Sequence, residues 1–68
     1  MTTEEINKKK INGDLKIAGS LVGISAQNAY AALNREGSKH HDKIKEILTK
    51  VIEMRENLKN EVSNAIDQ

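Results

Sequence analysis

The chain has 68 residues and a net charge of +1, with 37% hydrophobic and 31% charged residues. The absence of cysteine excludes disulfides, thiolate zinc sites and cysteine nucleophiles. No proline is present to break a helix, and Tyr30 is the only aromatic residue. An aliphatic core in so short a chain predicts a small all-α domain. Such a domain leaves little room for an enclosed catalytic pocket, so we expect neither an enzyme nor a small-molecule cofactor.

Membrane insertion and secretion are not expected from the hydropathy pattern. The longest apolar stretches are a few residues, far short of the ~20 residues that span a bilayer. The first ten residues are polar and charged, unlike a signal peptide. The sequence therefore predicts a cytoplasmic protein without a membrane partner.

Charge is distributed unevenly along the chain. From Lys8 to Lys45 there are eight basic and three acidic residues, for a net +5, whereas Glu46 to Gln68 carries three basic and five acidic residues, for a net −2. A basic segment followed by a mildly acidic one is typical of a small anion-binding module with a separate assembly helix. The alternative interpretation is an ordinary solvated surface.

The beginning of the chain predicts a short first helix. Thr2 followed by Glu5 fits a capping box, which places acidic residues at the positive end of the helix. The run Lys8–Lys10 fits its last turn, where cations are favoured. Gly13 is expected to follow the end of this helix in the left-handed conformation.

Two more short helices follow. Asp14 is expected to cap a second helix over residues 15–22, and Gly23 to end it. Ser25 is expected to cap a third helix, from Ala26 to about Asn34.

The fourth helix is expected to begin after a cap at Ser38 and to run without a breaker to the C-terminus, over about 28 residues or ~42 Å. Its apolar residues step by three and four, as in a coiled-coil seam. This pattern predicts a homodimer, with a frayed tail from about Arg55 as the alternative. The expected domains are residues 1–48 and a dimerisation extension over residues 49–68. Ile44 starts the seam, and the expected interface residues are Ile47, Val51, Met54, Leu58 and Val62.

The second and third helices have the spacing of a helix-turn-helix. They are joined by Gly23, Ile24 and Ser25, with Ile24 expected to plug the core. Gly19 lies where the two helices would cross and a large side chain would clash. The residues expected to face inward are Ala18, Leu21, Val22, Ala29, Ala32 and Leu33.

The run from Ile17 to Ala29, IAGSLVGISAQNA, resembles the "xAxxxGVSxxTV" helix-turn-helix of the lambda-repressor-like superfamily. This superfamily includes the phage Cro and CI repressors and the LacI-type regulators. The following residues 32–38 are similar to the segment after a LacI-type recognition helix. The resemblance covers about residues 15–48. It implies a four-helix, repressor-like transcriptional regulator of phage or bacterial type that binds double-stranded DNA as a homodimer.

The resemblance also assigns roles to individual residues. It makes residues 26–35 the recognition helix, whose first residues enter the major groove. The amides of Gln27 and Asn28 can pair with adenine, and Tyr30 is either a DNA contact or a partly buried core residue. The expected base contacts are Gln27, Asn28, Tyr30 and Ala31. The expected phosphate contacts are Lys16, Ser25, Arg35, Ser38 and Lys39.

Two other functions remain open. Arg35 is the only charged residue of the recognition helix, which favours a protein-interaction module that uses the C-terminal helix. A DNA-packaging or recombination accessory factor would also bind DNA. The adjacent His40 and His41 would point about 100° apart on a helix, so we expect no metal site.

Overall fold

The structure, a computed structural model, describes the backbone of residues 1–66 and the side chains of residues 1–62. Asp67 and Gln68, which end the expected extension over residues 49–68, lie outside the described residues. The predicted all-α fold is confirmed, since every regular element in the described part is helical. The elements are α1 (Thr3–Lys9), α2 (Asp14–Val22), α3 (Ala26–Leu33) and α4 (His41–Ile66). None of the helices in this part is long and apolar enough to cross a membrane.

Helix α1 begins with the predicted capping box. The Thr2 hydroxyl accepts the Glu5 N–H at 3.1 Å, and the Glu5 carboxylate accepts the Thr2 N–H at 3.4 Å. The Thr2 hydroxyl also donates to the Glu5 carboxylate at 3.3 Å. The bond from the Thr2 backbone N–H, and after it the one from the Thr2 hydroxyl, lower the pKa of the Glu5 carboxyl. Helix α1 ends at Lys9. The prediction had this helix end immediately before Gly13. Gly13 is left-handed as expected, with φ 97°, but it immediately precedes α2 instead of ending α1.

Asp14 is part of α2 and does not cap it with its side chain. Its carboxylate is almost fully buried, and it accepts the Ile11 N–H at 2.9 Å and Arg55 Nη1 at 3.0 Å. Arg55 Nη2 also donates to the Lys9 carbonyl at 3.1 Å. Burial of a carboxylate is costly without such partners. The pair therefore joins the start of α2 to the middle of α4, across 41 residues of sequence.

The turn between α2 and α3 follows the helix-turn-helix prediction closely. Gly23 ends α2 in the left-handed conformation, with φ 89°. A Cβ built on Gly19 would lie 2.6 Å from the carbonyl oxygen of Ile24 and 3.0 Å from that of Ser25. The Ser25 hydroxyl accepts the Asn28 N–H at 3.1 Å, which confirms the cap of α3. A side chain at position 19 would thus collide with the backbone of the turn.

The core is aliphatic and lies where the four helices meet. The prediction that Leu21 faces inward is wrong, because this side chain is 69% exposed. Leu21 is turned about 60° from Ala18, on the side opposite to Val22, and so leaves the buried face of α2. Val22 and Ile24 are partly buried and pack against the core, which agrees with the expectation that both face inward. Among residues 1–62, the buried hydrophobic residues are Ile6, Ala18, Ala29, Ala32, Leu33, Ile44, Leu48 and Ile52.

Helix α4 begins at His41, two residues after the predicted start at Lys39. The Ser38 hydroxyl accepts the His40 N–H at 3.4 Å in the preceding turn. The buried His41 places Nδ1 3.0 Å from the carbonyl oxygen of Ala32. This contact fixes the start of α4 against the last turn of α3.

The packed part of α4 extends beyond the expected domain boundary at residue 48, since Ile52 is buried in the core. Ile44 is fully buried and Ile47 is partly buried against the core. The first two residues of the predicted seam therefore pack within a single chain. Val51 is partly buried. In contrast, Met54, Leu58 and Val62 are 70%, 61% and 49% exposed. The described backbone stays helical beyond Arg55, to Ile66.

Candidate nucleic-acid interface

The outer face of α3 is exposed along its whole length. Ala29, Ala32 and Leu33 are buried against α2 and α4, which leaves the opposite side of the helix open. All four residues expected to contact bases are exposed: Gln27, Asn28, Tyr30 and Ala31. Because Ala31 lies one turn after Gln27 and is small, a flat partner can approach the middle of this face closely.

One edge of this face is a shallow hollow of about 240 Å³. Asn28 and Ala31 of α3 line it together with Arg35 and Ser38 of the following turn. The structure therefore brings two expected base contacts next to two expected phosphate contacts. His40 also lines the hollow and adds an imidazole beside Arg35.

The other edge is a second hollow, of about 410 Å³, between α3 and the segment before α2. Tyr30 and Lys16 line it, as does Lys10. The Lys10 Nζ lies 5.7 Å from the centroid of the Tyr30 ring, a distance that allows a cation–π contact. Tyr30 is 50% exposed and is not among the buried residues of the core. Sequence reasoning did not place Lys10 at the site, because the run of three lysines gives no sign of which one faces α3.

The cations beside α3 differ from other cations of the N-terminal half. Lys8 and Lys9 form ion pairs with Glu4 and Glu56. Within the described residues, no ion pair involves the cations at the two edges of α3: Lys10, Lys16, Arg35 and Lys39. Lys16, Arg35 and Lys39 are exposed, whereas Lys10 is partly buried and its Nζ donates to the Asn7 carbonyl at 3.4 Å. Cations at both edges favour an anionic partner, although the exposed Glu36 follows Arg35 directly.

Two polar side chains of the site are already engaged in holding α3. The Ser25 hydroxyl accepts a hydrogen bond as the cap, but its O–H remains able to donate to a phosphate. Asn34 donates to the Tyr30 carbonyl at 2.9 Å and accepts from the Asn7 amide at 2.8 Å. Asn34 thus links α3 to α1. Sequence reasoning missed this link, which joins residues 27 positions apart.

The two histidines lie in different surroundings, and only His41 is part of a helix. His41 is buried against Ala32, while His40 lines the hollow at the edge of α3. The described residues contain no group of three or more His, Cys, Asp or Glu side chains that could hold a metal ion.

Comparison with known proteins does not assign the chain to a family. No protein-family model matches the chain, and no curated protein and no solved structure matches it.

Proposed function

We propose that this protein is a small, cytoplasmic, sequence-specific DNA-binding protein that acts by binding alone, as a transcriptional regulator of the phage or mobile-element type. The observation that supports the proposal best is the surface of α3. An uncharged polar face carries Gln27 and Asn28, and cations without ion pairs within the described residues lie at both of its edges. Duplex DNA offers a matching arrangement, because its base edges lie between two rows of phosphates.

In the proposed complex the edges and the centre of the site have different tasks. Lys10 and Lys16 meet the phosphates of one strand, and Arg35 meets those of the other. Such contacts set the position of α3 without reading sequence. Gln27 and Asn28 then face base edges, where an amide can pair with the N6 and N7 of adenine. Ala31 leaves room for a thymine methyl group, and Tyr30 donates its hydroxyl to a phosphate.

The first test is fluorescence anisotropy of labelled duplex DNA over a series of salt concentrations. We expect log affinity to fall linearly with log salt, by about 0.9 for each phosphate contact in B-DNA. Arg35→Ala and Lys16→Ala should each reduce this slope by about one. Lys59→Ala is the matched control, because Lys59 is an exposed cation of α4 away from α3. A chain that binds no duplex even at low salt would refute the proposal.

Sequence preference is tested separately, with a site selected from random duplexes. Gln27→Ala and Asn28→Ala should each weaken binding to that site by about 5- to 150-fold, which corresponds to 1–3 kcal/mol per base contact. Binding to unrelated DNA should barely change. Asn60→Ala, at an exposed amide on α4, provides the control. An equal loss on selected and unrelated DNA would contradict the proposed base contacts.

A protein-interaction module is the second candidate, and the exposed apolar residues of α4 favour it. Met54 and Leu58 are more than half exposed and line one shallow groove. If DNA binding fails while the fold is intact, this surface becomes the main functional feature. A DNA-packaging or recombination accessory factor would share the DNA site, and only recovery of a bound enzyme would separate it from a regulator.

A further inference from the structure

We propose that α4 pairs with α4 of a second copy of this chain in antiparallel orientation, centred near Glu56. The contact surface is the row formed by Val51, Met54, Leu58 and Val62, called here the pairing stripe. Its last three residues are 49–70% exposed, although all are apolar. The pairing itself is independent of the proposed function.

The pairing stripe is complementary to itself when one helix is reversed. About Glu56, Met54 of one copy lies opposite Leu58 of the other, and Val51 lies within about 1.5 Å along the axis of Val62. Every member of the stripe therefore meets an apolar residue. The stripe repeats after eleven residues, from Val51 to Val62, which is close to three turns of an α-helix and allows nearly straight pairing.

The charges beside the stripe select the antiparallel orientation. Lys50 and Glu61 lie on the same edge of the stripe, because eleven residues rotate by only about 20° beyond three full turns. In the antiparallel pair, Lys50 of one copy lies about 1.5 Å along the axis from Glu61 of the other, and symmetry repeats this ion pair. A parallel pair would place Lys50 beside Arg55 of the second copy and would gain no such ion pair. On the other edge of the antiparallel pair, Arg55 of the two copies lie about 3 Å apart along the axis, a like-charge contact that the bond from Arg55 to Asp14 offsets. Lys50 now contacts Glu46 at 3.2 Å, but this exposed pair contributes too little to prevent a further contact.

The same geometry places both helix-turn-helix domains on one side of the pair. The core row of α4, formed by Ile44, Leu48 and Ile52, lies about 75° around the helix from the pairing stripe. The two-fold axis of an antiparallel pair runs perpendicular to the plane of its two helices. Rotation about that axis keeps each domain on the same face.

The separation of the two domains follows from the length of α4. Helix α3 contacts His41 of α4 and shares the core with Ile44 and Leu48, which all lie eight to fifteen residues from the centre of the pair. The two copies of α3 are therefore separated by about 24–45 Å along the helix axes. One turn of DNA separates half-sites by about 34–36 Å. This last step rests on the proposed function, and it predicts half-sites one helical turn apart.

The stripe is short, about 16 Å, so the interface falls at the low end of the size range for specific contacts. We expect a monomer–dimer equilibrium that shifts between about 1 μM and about 1 mM of protein, the range of a low-area interface. Leu58→Asp should leave the chain monomeric over that range in sedimentation equilibrium. Because Leu58 is exposed, the variant should keep the helical circular dichroism of the parent.

Disulfide trapping tests the orientation, since the chain contains no cysteine of its own. An equimolar mixture of Lys50→Cys and Glu61→Cys chains, mildly oxidised, should form a disulfide between position 50 of one chain and position 61 of the other. Neither variant should link to itself, because like positions are about 15–18 Å apart along the axis and a disulfide spans at most ~7 Å between Cα atoms. Lys50→Cys mixed with Lys59→Cys is the control for random collisions.

Four results would be decisive. The mixed link alone supports the antiparallel pair, and self-linked positions 50 or 61 would overturn it. A chain that stays monomeric throughout the concentration range would also overturn it, even if that monomer binds DNA. A trapped 50–61 dimer that fails to bind duplex DNA at low salt would overturn the proposed function and leave the pairing intact.

Discussion

The close approach of α2 to the turn that follows it makes Gly19→Ala the most informative substitution. The added Cβ would lie 2.6 Å from the Ile24 carbonyl oxygen and 3.2 Å from the Ser25 carbonyl carbon. These are backbone atoms of the turn, so no side-chain rotation can relieve the contact. Because the turn sets the angle between α2 and α3, the whole helix-turn-helix has to adjust.

The expected magnitude follows from two opposing effects. Overpacking a tight contact costs about 1–3 kcal/mol. Alanine in a helix is favoured over glycine by about 1 kcal/mol, which offsets part of this cost. Because the Cβ would meet a backbone oxygen at 2.6 Å, the cost lies in the upper part of this range, about 2–3 kcal/mol. We therefore expect Gly19→Ala to lower the free energy of unfolding by about 1–2 kcal/mol. This is a large share for 68 residues, since about 0.05–0.15 kcal/mol per residue gives only ~3–10 kcal/mol in total.

Thermal unfolding followed by circular dichroism measures the effect, at one fixed protein concentration because self-association would raise Tm. The Tm should fall by about 5–15 °C. Gly37→Ala is the matched control, because nothing lies within 4 Å of a Cβ at that position, and its Tm should stay the same or rise slightly. If Gly19→Ala melts at or above the parent Tm, the argument that α2 contacts the turn backbone is wrong.

The remaining predictions concern the polar links and the first cap. Arg55→Met leaves the buried Asp14 carboxylate without its cation and should lower the free energy of unfolding by about 1.5–3 kcal/mol in urea. Lys50→Met, at an exposed ion pair, should change it by under about 1 kcal/mol, and equal losses would contradict the special role of Asp14. Thr2→Ala removes the cap of α1 and should cost about 0.5–2 kcal/mol at neutral pH. Because the folded pKa of Glu5 is lowered, its stabilisation is present above the unfolded pKa and is lost as pH falls through the folded pKa. The difference between parent and Thr2→Ala should therefore shrink in acid, and a difference that grows would refute this assignment.

The ends of the short helices were predictable because single residues determine them. The capping box at Thr2, the cap at Ser25 and the left-handed Gly23 all depend on local hydrogen bonds and backbone conformation. Gly13 shows the limit of this reasoning. Its left-handed conformation was predicted correctly. A left-handed glycine can follow the end of one helix or precede the start of the next, however, and only the packed structure decides between the two.

Contacts between distant segments could not be predicted in the same way. Asp14 has the composition of a cap, and only its position against Arg55, 41 residues later, makes it a buried ion-pair partner. The spacing of apolar residues in α2 assigns Leu21 to the same buried face as Val22. In the structure only Val22 packs against the core, and Leu21 is exposed. A four-helix domain has too few elements to cover every apolar residue, and the periodicity does not reveal which flank stays open.

The candidate site was predicted better at its centre than at its edges. The outward residues of α3 follow from its period once Ala29, Ala32 and Leu33 are assigned to the core. Lys10 and His40 come from the segments on either side and reach α3 only through the tertiary fold. The surface that results is broader than the outer face of α3 alone.

The half-exposed position of Tyr30 also has a practical consequence. The chain has no tryptophan, and Tyr30 is its only tyrosine, so all of its intrinsic emission comes from one point. That point lies beside Lys10 at the edge of α3. A ligand that settles on this edge changes the surroundings of the sole fluorophore directly, whereas one that binds only the far part of α4 leaves them as they are. The unlabelled protein therefore reports where on its own surface a partner has bound.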